Sequence, residues 1–373
     1  MKLRIGLIGL GASWQTMHRP ALRMLADRFD IRAIYSNVSK LAENAVAEFQ
    51  ADPVEGFQAV VRRGDIDAVL ILETAWLKHL PAIAACQAGK AVYWAGDLAF
   101  DPVRDASFRQ CVDESGVAFM TQLPRRFSPA TLRLKELIAT SLGAPRLLFC
   151  HHRMTVDLQA RQAASQRARV AMETNGETIS AADSPRIEQE LIELIDWCNY
   201  VVGSPPASVV ATGQDSDPSL KYQALSLLYG GNQADATANS GRVGTSVQAQ
   251  ISCGNYIPPS WQEAIGFRPP AALQVVCERG VAFLDLPGTL VWFDDVGRHH
   301  ESLEMEAPVG EKLLSQFHRS ITSLVRNLTG LDDAYRAAAI LKAARRSMCE
   351  GRRMDLADAM NLTGSSKPSH GIA

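Results

Sequence analysis

The sequence predicts two domains of different class. The first is an α/β domain on a doubly wound parallel sheet; the second is α+β, with a large, mostly antiparallel open-faced sheet. Three observations carry this reading. A length of 373 residues suffices for two cores. Over the first third, short apolar runs ending near Leu10, Tyr35, Leu72, Trp94 and Met120 alternate with helical patterns at about 14–28, 39–49, 77–88 and 103–115. Such alternation implies parallel strands joined by right-handed crossovers. Beyond residue 125, strand-like runs follow one another with turns such as Arg279-Gly280 and Pro287-Gly288 between them, which suits antiparallel pairing with helices to one side.

The first strand runs into a glycine turn, Arg4-Ile5-Gly6-Leu7-Ile8-Gly9-Leu10-Gly11-Ala12-Ser13-Trp14. Gly9 and Gly11 permit a tight turn and a close backbone approach, and a helix follows from Ser13. That layout sets a dinucleotide pyrophosphate on free N–H groups at a helix start. Trp14 stands where a third glycine is usual, and its bulk is expected to crowd the turn. Ile31–Tyr35 reads as the second strand and Asp67–Leu72 as the fourth. Ligands on such sheets bind at the carboxyl ends of strands, here near Gly9, Ser36, Glu73, Thr74 and Trp94.

In the second domain, Ser128-Pro129 opens a helix to about Leu142, with serine as cap and proline in the first turn. Strands are expected at 145–152, 207–212, 222–229, 244–252, 272–278, 281–286 and 289–293, interrupted by a helix over about 185–202. Two helices, about 311–328 and 332–350, close the fold. The boundaries are 1–124 and 125–362. Residues 155–184 read as an irregular insertion and 363–373 as a disordered tail.

Composition narrows the function classes. Lys and Arg total 38 against 40 Asp and Glu, a net charge of −2, which offers nothing to nucleic acid or an anionic membrane. No apolar run reaches the ~18–20 residues of a bilayer span, and the first residues lack a signal peptide's apolar core. Seven scattered cysteines without a C-x-x-C pair read as free thiols of a cytoplasmic protein. His299-His300 lacks partners at ligand spacing, so no metal is expected.

With these elements placed, the chain resembles the glucose–fructose oxidoreductase, inositol dehydrogenase and rhizopine-catabolism (Gfo/Idh/MocA) family. The likeness rests on the Gly9–Gly11 turn, Asp65-Ile66-Asp67-Ala68-Val69, Ala88-Gly89-Lys90 and Arg125-Arg126-Phe127-Ser128-Pro129. Leu194-Ile195-Asp196 and Gly330-Leu331-Asp332-Asp333-Ala334 complete it. The resemblance implies a Rossmann domain binding NAD or NADP and a sheet domain that forms a homodimer or homotetramer. It also implies a sugar-like or polyol substrate oxidised or reduced at a carbinol carbon.

Two departures follow from the same resemblance. The family's lysine after the fifth strand is replaced by Gly96, in Ala95-Gly96-Asp97, and its mid-chain helix histidine by Glu193. Gln189 is retained one turn earlier, and residues four apart share a helix face. A positioned acid–base group contributes about 10²–10⁴ in rate, so a replacement is needed. The candidates are Glu193, with Gln189 beside it, Asp97 and Lys78. At the end of the second strand, Ser36, Asn37 and Lys40 replace the acidic residue that binds a ribose 2′-hydroxyl. A hydroxyl near a cation suits a 2′-phosphate, so NADP is favoured over NAD. Ala12, Ser13 and Trp14 complete the expected coenzyme contacts, with Trp14 and Trp94 lining the cleft.

Overall fold

The computed structural model describes residues 1–101, 103–155, 185–214, 221–230, 246–266, 271–323 and 330–357. The expected insertion at 155–184, apart from residue 155, and the tail at 363–373 lie outside these. The chain forms two compact units. Unit 1 comprises Met1–Leu132, Leu286–Gly288 and Ser302–Tyr335; unit 2 comprises Arg133–Asp285, Thr289–Glu301 and Arg336–Ala373.

Unit 1 holds six strands: β1 (Leu3–Ile8), β2 (Phe29–Tyr35), β3 (Asp52–Pro53), β4 (Ala68–Ile71), β5 (Ala91–Trp94) and β6 (Phe119–Thr121). They lie in the order β3-β2-β1-β4-β5-β6, and the pairs β1–β2, β1–β4, β2–β3, β4–β5 and β5–β6 are parallel. Leu3, Ile5, Leu7 and Ile8 of β1 are fully buried, as apolar runs on a doubly covered sheet must be. Strand order reverses between β1 and β4, so the crevice for ligands opens at the carboxyl ends of these two. The third strand has only two residues, both exposed, which left no apolar run to read.

Helices α1 (Arg19–Met24), α2 (Ser39–Phe49), α3 (Phe57–Val61), α4 (Leu80–Gln87) and α5 (Ala106–Ser115) connect these strands. The expected first helix is broken in two: a five-residue π-turn, Trp14–His18, precedes α1. Pro20 has no N–H to continue the ladder, and the His18 amide instead bonds to Ser13 O at 3.2 Å. Helix α6 (Pro129–Leu137) begins as expected, with the Thr131 amide donating to Ser128 Oγ. A late helix, α8 (Val309–Thr322), inserts Leu313, Leu314 and Phe317 into the core that holds Leu7, Leu10 and Tyr93. Burying such side chains stabilises by about 1.5–3 kcal/mol each.

Unit 2 is built on nine strands: β7 (Pro145–Thr155), β8 (Ser208–Gln214), β9 (Lys221–Tyr229), β10 (Val247–Ile257), β11 (Leu273–Cys277), β12 (Gly280–Asp285), β13 (Thr289–Asp294), β14 (Gly297–Ser302) and β15 (Met354–Asp355). Their order is β14-β13-β12-β11-β7-β10-β9-β8-β15. Neighbours pair antiparallel wherever a register is described, except β7 with β10. Edge strand β14 was not expected, since Arg-His-His-Glu carries no apolar alternation. On one sheet face, Cys150, Leu225, Leu227 and Ile251 are buried. Helix α7 (Pro185–Val202) covers that face: Cys198 Sγ lies 3.5 Å from Cys150 Sγ, and Tyr229 donates to Asn199 Oδ1. Helix α9 (Leu331–Glu350) begins in unit 1 and continues into unit 2. All seven cysteines are free thiols.

Candidate functional site

The glycine turn of unit 1 sits at the switch point. Gly9 has φ 73°, and a Cβ there would meet Glu73 O at 2.3 Å; a Cβ on Gly11 would meet Leu72 O at 2.7 Å. Both glycines thus let the β1 turn cross the end of β4. Trp14 does not crowd this turn. Its ring is 2% exposed, edge-on to Phe49 at 6.0 Å within the core, so only its backbone borders the crevice. Its own amide bonds back to Gly11 O. The amides of Gly11, Ala12 and Ser13 have no backbone partner among the described residues. Three open N–H groups on a turn form an anion-binding concavity, and the missing Cβ atoms leave backbone exposed to a ligand.

At the end of β2, two hydrogen bonds fix side-chain direction. Tyr35 Oη donates to Asn37 Oδ1 at 2.6 Å, which turns the Asn37 NH₂ outward. The Val38 amide donates to Ser36 Oγ, leaving the Ser36 hydroxyl proton free to donate. Exposed Lys40 lies beyond, and the cavity beside Tyr35 and Ser36 is also lined by Glu43 and Glu55.

Beyond β4, Glu73 is exposed and Thr74 buried. A tight 3₁₀ turn over Ala75–Leu77 follows, ending at Lys78 with φ 47°. Lys78 is exposed. Trp94, expected on the cleft wall, is instead wholly buried, and its Nε1 donates to Asp97 O at 3.1 Å. The indole packs directly under Gly96: a Cβ there would lie 2.8 Å from Trp94 Cζ2 and 3.2 Å from Thr74 Cγ2. The absent side chain at 96 is therefore a packing requirement. Asp97 is exposed and accepts from the Ala99 amide at 2.9 Å, which orients its carboxylate.

Sequence reasoning passed over His79, next to Lys78. Its ring stacks on Phe108 (4.4 Å, 7°) and approaches Trp94, with Nδ1 3.4 Å from Asp105 Oδ1. Burial holds its pKa below the usual value, against the pull of Asp105 and Asp97. A histidine just after a strand's carboxyl end was the available signal. His18 is also buried, with Nε2 2.7 Å from Gln122 Oε1 and Nδ1 unpartnered, and burial lowers its pKa as well. Arg126 pairs with Asp333 at 2.7 Å inside unit 1.

In unit 2, Gln189 and Glu193 do share one face of α7, with Gln189 Nε2 donating to Glu193 Oε1 at 3.1 Å; Glu193 is half-buried. One residue on, Glu190 Oε2 lies 3.4 Å from His152 Nε2. On the sheet's other face a polar chain runs across β7, β10 and β9. Arg153 Nε donates to His151 Nε2 (2.8 Å), His151 Nδ1 meets Ser252 Oγ (3.1 Å), and Ser252 donates to Tyr222 Oη (3.0 Å). His299 stacks on Trp292 and meets Asp294 Oδ1 at 3.0 Å. Among the described residues no cluster could hold a metal ion, and no helix is long and apolar enough to cross a membrane.

Unit 1, a parallel sheet with a glycine turn at its switch point, and unit 2, a large mixed sheet, define a two-domain fold class. Residues 3–94 match the profile of the GFO_IDH_MocA family, described as "Oxidoreductase family, NAD-binding Rossmann fold". The likeness to that family is thus carried by the first 94 residues, about a quarter of the chain. It is 28% identical over 176 residues to dehydrogenase aclE of Aspergillus oryzae, covering 44% of this chain and 48% of that one. It is 27% identical over 161 residues to inositol 2-dehydrogenase of Paracoccus denitrificans, covering 41% and 46% respectively. The matched stretches span about half the length of these relatives. Among solved structures, an oxidoreductase from Thermotoga maritima superposes with a TM-score of 0.73 over 96% of this chain and all of that one, at 14% identity, a likeness of fold.

Proposed function

We propose that the protein is an NAD(P)-dependent oxidoreductase that moves a hydride to or from a carbinol carbon of a sugar-like or polyol substrate. The observation that carries this is the trio of open amides at Gly11, Ala12 and Ser13, held at the switch point by two glycines that admit no side chain. They suit the pyrophosphate of a dinucleotide. The Ser36 hydroxyl, the Asn37 amide and Lys40 favour the phosphorylated coenzyme, NADP over NAD. The coenzyme supplies a carbon that accepts or gives up hydride. The chain's own residues hold it and handle the accompanying proton. With glycine at 96, the proton falls to Asp97, Lys78 or Glu193, the last steadied by Gln189. The inositol dehydrogenase relative supports the substrate class.

Assembly follows from the sheet of unit 2. Alternate residues Phe149, Gln274, Phe283 and Val291 lie abreast on neighbouring strands and are only half-buried. A homodimer or homotetramer through this face would cover them.

The test is coenzyme protection. A ligand at 100 times its Kd stabilises by about 2.7 kcal/mol, so NADPH is expected to raise the melting temperature more than NADH does. No shift with either removes the proposal. On a sugar and polyol panel, D97N, K78M and E193Q are compared singly, and loss of the true proton carrier lowers kcat by about 10²–10⁴. A second reading is favoured by the indole filling the space above which a lysine would stand: a catalytically silent relative that binds nucleotide or metabolite in a regulatory or structural role. Protection without turnover across the panel identifies it.

A further inference from the structure

The six tryptophans divide sharply. Trp14, Trp94, Trp197 and Trp292 are between 0% and 7% exposed, whereas Trp76 is 76% exposed and Trp261 65%. A single exposed indole is unremarkable by itself; the position of Trp76 is what counts. It stands at the apex of the turn after β4, on one of the two strands that flank the switch point. Buried Thr74 and Leu77 anchor that turn on either side, and the Leu77 amide closes it onto Thr74 O at 2.9 Å. Lys78, at φ 47°, redirects the chain at its end. The turn is thus fixed, and its outermost side chain is a large flat ring facing solvent. Thr74 also borders Gly96, where no side chain projects from the β5 end. Unit 1 thus carries an exposed indole two residues beyond Thr74, the residue that borders Gly96.

We propose that Trp76 is the stacking platform for the nicotinamide ring of the coenzyme. This rests on the reading of unit 1 as a dinucleotide site. Within that reading, the β2 side of the switch point takes the adenosine end, so the β4 side faces the other heterocycle. The oxidised ring is a planar cation and the reduced ring a neutral one. An indole face attracts a planar cation by its quadrupole and stacks on either ring. Trp76 therefore holds the oxidised coenzyme more tightly than the reduced one.

The test is calorimetric titration of the full chain, wild type, W76A and W76F, with NADP⁺, NADPH and 2′,5′-ADP as a probe lacking nicotinamide. Base–aromatic stacking lost to alanine costs roughly tenfold in affinity or more. W76A is expected to bind NADP⁺ about tenfold more weakly, NADPH less so, and 2′,5′-ADP as the wild type does. W76F recovers most of the loss. Equal NADP⁺ affinity in wild type and W76A overturns the assignment, as does an equal loss for 2′,5′-ADP, which marks a general collapse of the site. A wild type that binds none of the three overturns the dinucleotide reading itself, and this assignment with it.

Discussion

Replacing Gly96 with alanine adds one methyl group where the fold has no room. The new Cβ would lie 2.8 Å from Trp94 Cζ2, 3.0 Å from Cε2 and 3.2 Å from Thr74 Cγ2. The indole cannot swing aside, because it is fully buried, tied to Asp97 O, and hemmed in by His79, Phe100 and Phe108. Gly96 itself is outside the left-handed region, so backbone strain does not confuse the result. Overpacking of this kind costs about 1–3 kcal/mol. At about 2–4 °C per kcal/mol for a unit of this size, the melt of unit 1 falls by about 2–12 °C. Calorimetry or circular dichroism on G96A measures it, and a double-mutant cycle with W94L assigns the cause. In the W94L background the same alanine is expected to cost little, a coupling of about 0.5–3 kcal/mol. G96A melting with the parent, or costing as much in W94L, refutes the reasoning. The same geometry means that a lysine introduced at 96 needs a smaller residue at 94 as well.

Three further outcomes are expected. Gly9→Ala combines φ 73° with a 2.3 Å approach to Glu73 O, so it lowers the melting temperature and abolishes coenzyme protection, read by thermal unfolding with and without NADPH. His18 has a folded pKa below its ordinary 6.5, through burial. The unfolded state therefore binds more protons between those two values, and stability falls as pH drops through that window; H18Q is expected to flatten this part of the stability–pH curve in urea titrations. Light scattering at micromolar concentration is expected to give a dimer or tetramer, and F149D to shift it towards monomer; a monomeric parent refutes the assembly proposal.

Five of the six parallel strands were legible because each carries an apolar run, with helical periods between them. What escaped notice had no such mark. β3 is two exposed residues, and β14 is a polar edge strand. The π-turn arises from Pro20 and from a large ring seeking the core, and neither shows in a hydrophobic pattern. Trp14 and Trp94 illustrate the limit best. The sequence locates both beside the crevice, yet the direction of a side chain depends on which neighbours leave room, and both rings turn inward. The Gln189–Glu193 pair was readable because helical spacing fixes it. His79 was not, because its partner Asp105 is distant in sequence and its aromatic stack is a tertiary product.

The polar chain on the sheet of unit 2 has a built-in direction. A guanidinium only gives hydrogen, so Arg153 obliges His151 Nε2 to receive and Nδ1 to carry the proton; burial, reinforced by Arg153, also lowers the pKa of that ring. Ser252 must then take from the imidazole and pass its own hydrogen to Tyr222. The phenol at the end of this relay therefore keeps its own proton to donate, while its remaining lone pair can still accept.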